Sequence, residues 1–192
     1  MSFWDKVKKF LRLADEYIDY EFVYGSHNVE KGSDSQGFSA TDVWRTVAEK
    51  YKIREMLWQL FKQTKDAFDI EDGLVIYGEI YGPGIQKNYD YGLKELKYVG
   101  FDVTINGRYC DAKRSFMIQN MLGLDYVPVL YYGKWSQEIQ DSFVFNNFIE
   151  GTKIPHEGIV IKAIDGDRHK VAKCINPDYL IYGEKHNVGD SH

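Results

Sequence analysis

HEGIVIKAIDGDRHKVAKC, residues 156–174, holds two short β-branched runs separated by turn chemistry at Asp165-Gly166. The spacing predicts strands over 158–164 and 169–175. Glu157 and Gly158 open the first run, Lys162 follows Ile159-Val160-Ile161, and Lys173 sits inside the second. In a regular strand Glu157 and Lys162, five apart, point to opposite faces. Gly158 permits the bend or bulge that would bring both to one pocket. A carboxylate near lysine suits a phosphate site, because the carboxylate holds a divalent cation and the lysine neutralises phosphate oxygens. Lys173 supplies a second positive charge. Locally, a surface strand with solvated ends would read the same way, so the rest of the chain has to decide.

Working outward, GLVIYGEIYG (73–82) and YVGFDVTING (98–107) also read as strands, and Asn106-Gly107 as a tight turn. VPVLYYG (127–133) is expected to be a short strand, and DYEFVYG (19–25) another. Helical periodicity predicts helices over 2–14, from Ser39-x-x-Asp42 to about 65, over 113–122 and over 135–151. EKGSDSQGFS (30–39) reads as a polar loop. Helices and strands alternate without a βαβ rhythm, which argues for an α+β fold with largely antiparallel sheets. We expect one domain over 1–183 and a polar tail over 184–192.

The chain has 192 residues, 44% of them hydrophobic, enough for one ordinary core. Fifteen Tyr and 11 Phe suit half-buried sheets and faces that bind rings. A net charge of -5 excludes a simply basic nucleic-acid binder, though not a local basic surface. Cys110 and Cys174 lack metal-ligand spacing, and two free thiols in a reducing cytoplasm is the expected state. Neither a membrane span nor a secretory leader is readable.

Two strands carry further candidates. On 74–82, Tyr77, Glu79 and Tyr81 share one face, and Gly78 and Gly82 suggest close approach of a ligand or of backbone. On 98–107, Phe101, Val103 and Ile105 face one way and Asp102 and Thr104 the other. Phe101 is either core or a ring that stacks on a flat ligand.

The ordered series YGEIYG, GFDV, EGIVIK and VAKCINPDYL resembles motifs III, IIIa, IV and V of the covalent nucleotidyltransferases, the ligases and capping enzymes. EFVYGSHNV and YVPVLYYGKW are similar to segments of the RNA ligase 2-like group of ATP-dependent RNA ligases. The resemblance implies a ligase adenylation domain with two largely antiparallel sheets flanked by helices. It implies ATP and Mg²⁺ (or Mn²⁺) as cofactors. RNA ends or a nicked duplex would be the partner, and RNA repair in the cytoplasm the setting. A lysine would take AMP from ATP, pass it to a 5′-phosphate, and a 3′-OH would then displace it. By motif position Glu79 would contact the ribose, Phe101 would stack on adenine, and Glu157 would help hold the metal. Lys162 and Lys173 would act on the nucleotide phosphates as the catalytic lysines of these motifs. His27 stands where many ligases carry an arginine on the incoming strand, and would be an RNA contact.

The chain departs from this pattern at its centre. The attacking lysine belongs to K-x-[D/N/H]-G, and no segment here matches: Ile70, Thr104 and Ala163 stand at the lysine places before the three nearest Asp-Gly or Asn-Gly pairs. Only the helix-like MSFWDKVKKFLRLADEY precedes the first resembling segment. The expectation is a chain lacking its motif I segment and inactive alone, with functional decay or a lysine supplied by another chain as the alternatives. Motif V often carries two lysines one residue apart, whereas Cys174 and Ile175 follow Lys173 here, and Lys170 is only nearby. Two other readings stay open. One is a non-catalytic module that binds nucleotide or RNA ends; the other is a DNA ligase-like or capping-enzyme-like transferase.

Overall fold

The computed structural model describes residues 21–26, 29–33, 37–38 and 42–190. The chain divides between Arg45 and Thr46 into two units. In the first, β1 (Val23–Ser26), β2 (Val29–Ser33) and β3 (Gly37–Phe38) form an antiparallel sheet in that order. The segment expected to be a polar loop therefore contains two strands. Gly32 and Ser33 pair with β1 on one side and β3 on the other, and Ser33 is buried. Ladder hydrogen bonding outweighs the weak intrinsic strand preference of Gly and Ser. The helix expected over 2–14 and the capping Ser39 lie outside the described residues. Asp42 itself accepts the Trp44 N–H at 2.9 Å, at the start of α1 (Val43–Lys50).

The long helix expected to reach about 65 is two helices. α1 stops at Lys50, and α2 runs over Ile53–Phe68. Lys52 between them is left-handed, at φ 51°. No Gly or Pro marks this break; the reason is tertiary. Lys50 Nζ donates to the Leu96 carbonyl at 2.7 Å, and the Tyr51 ring packs on Tyr98 at 6.3 Å.

The second unit is organised on β4 (Leu74–Tyr81), which pairs antiparallel with β6 (Lys97–Ile105); β6 turns at Asn106-Gly107 into β7 (Arg108–Tyr109). Both turn residues have positive φ, 49° and 71°, as a two-residue hairpin requires. Asn106 Oδ1 also accepts the N–H groups of Glu71 and Asp72, at 2.9 Å each, and so ties the hairpin to the end of α2. β5 (Gln86–Lys87) lies between β4 and β6 in sequence. α3 (Ala112–Met121) packs on β6, with Ile118 and Gln119 fully buried, and Asp111 caps it by accepting from Arg114 N at 2.7 Å. Gly78 and Gly100 leave room for the Tyr98 ring and the Gln119 side chain respectively, so close approach at Gly78 comes from the chain's own core.

Two expected elements are shorter or missing. The expected strand over 127–133 does not form: the parallel bridge is Gly100 with Tyr126, Val127 N–H donates to the Gly100 carbonyl at 2.9 Å, and the chain then leaves the sheet. Pro128 has no N–H to continue a ladder. The helix expected over 135–151 is only α4 (Gln137–Val144), which ends where Phe145 turns extended and Asn146 left-handed. β8 (Gly158–Lys162) and β9 (Val171–Ile175) form the expected antiparallel ribbon. α5 (Pro177–His186) follows, capped by Asn176, and β10 (Gly189–Asp190) pairs with β5. Residues 184–190 of the polar tail thus belong to the folded unit. Among the described residues, five helices and small antiparallel sheets make the α+β fold that the mixture of elements implies.

Candidate functional site

The β8–β9 ribbon is built from β-branched residues and pairs Val160 with Lys173 and Lys162 with Val171. Paired residues share a face and side chains alternate, so Lys162 and Lys173 lie on the same face of the ribbon. Glu157 would fall on the opposite face if the strand stayed regular. Gly158 adopts φ 147°, and a Cβ there would run into the Cys174 carbonyl oxygen. That bend swings Glu157 round, and its Oε2 accepts from Lys173 Nζ at 3.1 Å. Gly158 thus takes the bend that a glycine permits, but it joins Glu157 to Lys173 and not to Lys162, the partner expected from the sequence.

Glu157 is the hub of a polar cluster. Its Oε1 accepts from Gln86 Nε2 at 2.9 Å and from the hydroxyls of Tyr91 and Tyr179 at 3.3 Å each. Burial alone would raise the carboxyl pKa. The Gln86 hydrogen bond, the Lys173 charge and hydrogen bond, and the Tyr91 hydroxyl outweigh it and hold the group below the usual range. Burial, the charge of Glu157 and then that of Glu79 push the Tyr91 hydroxyl well up, so it remains a donor. Glu79, exposed on β4 opposite Val99, thus acts on the same tyrosine as Glu157. Tyr89 packs edge-on against Tyr91 and Tyr179, at 4.5 and 5.2 Å between ring centres, and closes the buried side of the cluster.

The other end of β8 carries a second cluster. Lys162 Nζ donates to the Phe101 carbonyl at 2.9 Å and to Asp102 Oδ1 at 2.8 Å, and lies 5.1 Å from the centre of the Phe101 ring. A bulge explains this meeting. Tyr77 pairs with Asp102 but Gly78 pairs with Gly100, which leaves Phe101 as the extra residue on β6. Its free carbonyl then accepts from Lys162 and from the Tyr126 hydroxyl. Asp102 Oδ2 accepts from Arg168 Nη1 at 2.8 Å, and the guanidinium lies 4.8 Å from the Tyr109 ring centre. A cavity of about 20 Å³, the room of a single water, sits beside Asp102, Lys162 and Arg168.

Among the sequence candidates, the structure brings Glu157 to Lys173, sets Glu79 near the same cluster, and brings Lys162 to Phe101. Lys162 and Glu157 have different partners and sit at opposite ends of β8, roughly 16 Å of extended chain apart. Lys170 turns to Asp167 at 3.1 Å and leaves Lys173 as the lysine at Glu157. His27 lies outside the described residues. Sequence reasoning named Asp102 only as a face residue and missed Arg168, Gln86, Tyr91 and Tyr179. It also left α5 unassigned, although Asn176-Pro177-Asp178 is a helix-start signal.

Among the described residues no group of three or more His, Cys, Asp or Glu is placed to hold a metal ion. At Glu157 both carboxylate oxygens already accept hydrogen bonds, Oε1 from Gln86, Tyr91 and Tyr179 and Oε2 from Lys173, so a cation there would have to displace one of these donors. No described helix is long and apolar enough to cross a membrane. Cys110 and Cys174 are both free. A family model for RNA ligase matches residues 14–175. No curated protein matches the chain.

Proposed function

The chain belongs to the RNA ligase family, and on that premise we propose that it carries the nucleotide and phosphate side of an ATP-dependent RNA ligase adenylation domain. The reaction would join an RNA 5′-phosphate to a 3′-OH through a lysyl-AMP intermediate. The observation that carries this reading is the bend at Gly158, which sets Glu157 against Lys173 on the ribbon face that also bears Lys162. Anionic oxygens moving across such a face meet two ammonium groups and one carboxylate able to share a cation. When bound, Mg²⁺ would draw charge from the phosphate oxygens. Glu157 would hold it, with Tyr91 and Gln86 fixing the carboxylate. Phe101, half-buried beneath the Lys162 ammonium, offers a ring face for a base. Glu79 would hold a ribose hydroxyl.

Lys162 and Lys173 are each ion-paired with a carboxylate, Asp102 and Glu157. Each amine is thus already engaged by a carboxylate. An attacking amine needs a lone pair and freedom from such a partner. We therefore assign both lysines to phosphate binding and neither to the attack.

The test is calorimetric binding of ATP with Mg²⁺, alongside intact mass after incubation with both. Lys162→Ala and Glu157→Ala weaken ATP·Mg²⁺ binding while the fold persists; unchanged affinity in both sinks the assignment. A mass increase of one AMP locates an attacking nucleophile within these residues. ATP binding without adduct leaves the module as a nucleotide or RNA-end binder. RNA binding weakens as salt rises, through counterion release, and a flat salt response argues against a backbone-binding surface.

A further inference from the structure

Asp102 is 8% exposed and is shared by two cations, one on each oxygen: Lys162 on Oδ1 and Arg168 on Oδ2, both at 2.8 Å. The phosphate role given to Lys162 above requires its ammonium to turn from Asp102 toward a ligand. A lone lysine could not do so cheaply, because departure would strand a buried carboxylate without a counter-charge. We propose that Arg168 is a positioning residue: it keeps Asp102 neutralised and so frees Lys162 to engage the nucleotide phosphate. This rests on the phosphate role of Lys162.

Three features favour Arg168 as the cation that stays. It uses the carboxylate oxygen that Lys162 leaves free. Its guanidinium also lies over the Tyr109 ring, which in turn packs against Tyr77 at 5.5 Å, so a second contact holds it in place. It stands at the start of a 3₁₀ turn, Arg168–Lys170, whose preceding Asp167 accepts the His169 N–H at 3.0 Å. Lys162 reaches Asp102 on a flexible stem with a rotatable ammonium, and on turning it gives up its bond to the Phe101 carbonyl at 2.9 Å but stays within reach of the Phe101 ring. Sharing one carboxylate also weakens the grip on each cation, since the two positive charges repel.

The experiment is ATP·Mg²⁺ titration of the full chain carrying Arg168→Met, Arg168→Lys, Asp102→Asn with Arg168→Met, and Lys162→Met. Arg168→Met should weaken binding by about tenfold, the order of one charge-assisted hydrogen bond that Lys162 must now break alone. Adding Asp102→Asn should restore affinity to within about threefold of wild type, because no carboxylate then restrains Lys162. Arg168→Lys keeps a cation on Asp102 and should bind nearly as wild type; it carries the test if the double variant does not fold. The Arg168→Met deficit should persist in 1 M salt, where the screening length is about 3 Å. Weak binding in both the double variant and Arg168→Lys overturns the proposal and makes Arg168 a direct ligand contact. A deficit abolished by salt also overturns it, leaving only a long-range field. Normal binding by Arg168→Met while Lys162→Met is impaired overturns this inference and leaves the phosphate role of Lys162 standing. Normal binding by Lys162→Met overturns both.

Discussion

Glu157→Gln separates the charge of Glu157 from its shape. The amide keeps the volume and keeps an acceptor at Oε1 for Gln86, Tyr91 and Tyr179. Those three hydrogen bonds lose the charge that makes such bonds roughly twice as strong. At the other position an –NH₂ group faces the Lys173 ammonium, donor against donor, where Oε2 accepted at 3.1 Å. Lys173 is 57% exposed, so solvent screening limits that pair to at most ~1 kcal/mol. Relief from burying a charge offsets part of the loss. The net cost near neutral pH is about 1–2 kcal/mol, which lowers Tm by roughly 2–8 °C in a chain of this size. The pH dependence carries the discriminating information. The Glu157 carboxyl is held below its ordinary range in the folded protein. Its contribution is therefore complete above the unfolded pKa and is lost as pH falls through the folded pKa. Gln does not titrate, so the Tm gap between wild type and Glu157→Gln should be widest near neutrality and narrow on acidification. Thermal melts of both proteins across that range measure it. A gap that stays constant with pH, or a variant more stable than wild type at neutral pH, would refute the account of a carboxylate stabilised by its donors.

Three further outcomes follow from the geometry. Gly158→Ala combines a positive φ of 147° with a Cβ against the Cys174 carbonyl. It should cost about 3 kcal/mol in a denaturant melt and separate Glu157 from Lys173; wild-type stability would show that the bend is not required. Asn106→Ala removes the acceptor for Glu71 and Asp72 and the donor to the Asp69 carbonyl. A loss of ~2 kcal/mol is expected in a denaturant melt, and wild-type stability would show that these bonds do not hold the turn. Burial raises the Cys110 thiol above its usual range, so in the native protein Cys110 should be alkylated more slowly than Cys174. Mass mapping after brief exposure reads this, and preferential Cys110 labelling would contradict its burial.

Much of the architecture was legible because it is local. β-branched runs bounded by turn residues marked β4, β6, β8 and β9, and Asn106-Gly107 marked the hairpin, since these signals act within a few residues. What was misread turned on partners distant in sequence. The break at Lys52 depends on Leu96 and Tyr98. The failure of 127–133 to continue a ladder depends on Pro128 beside β6. The strands in 30–39 depend on β1.

The candidate site divides in the same way. Residue chemistry alone left Glu79 and Phe101 open to ordinary surface and core roles; the order of the motifs and their resemblance to the ligases singled out Glu79, Phe101, Glu157, Lys162 and Lys173. Gly158 also signalled its bend in advance, since only glycine is at ease at that φ. Which cation meets which carboxylate was a tertiary matter. The bulge at Phe101 shifts the register of β6 and aims its carbonyl at Lys162, and burial of Asp102 then demands neutralisation. Arg168 and Lys162 answer that demand from a turn and a strand 66 and 60 residues downstream in the chain. Periodicity along one strand cannot specify a partner so remote; only packing of the ribbon against the sheet does.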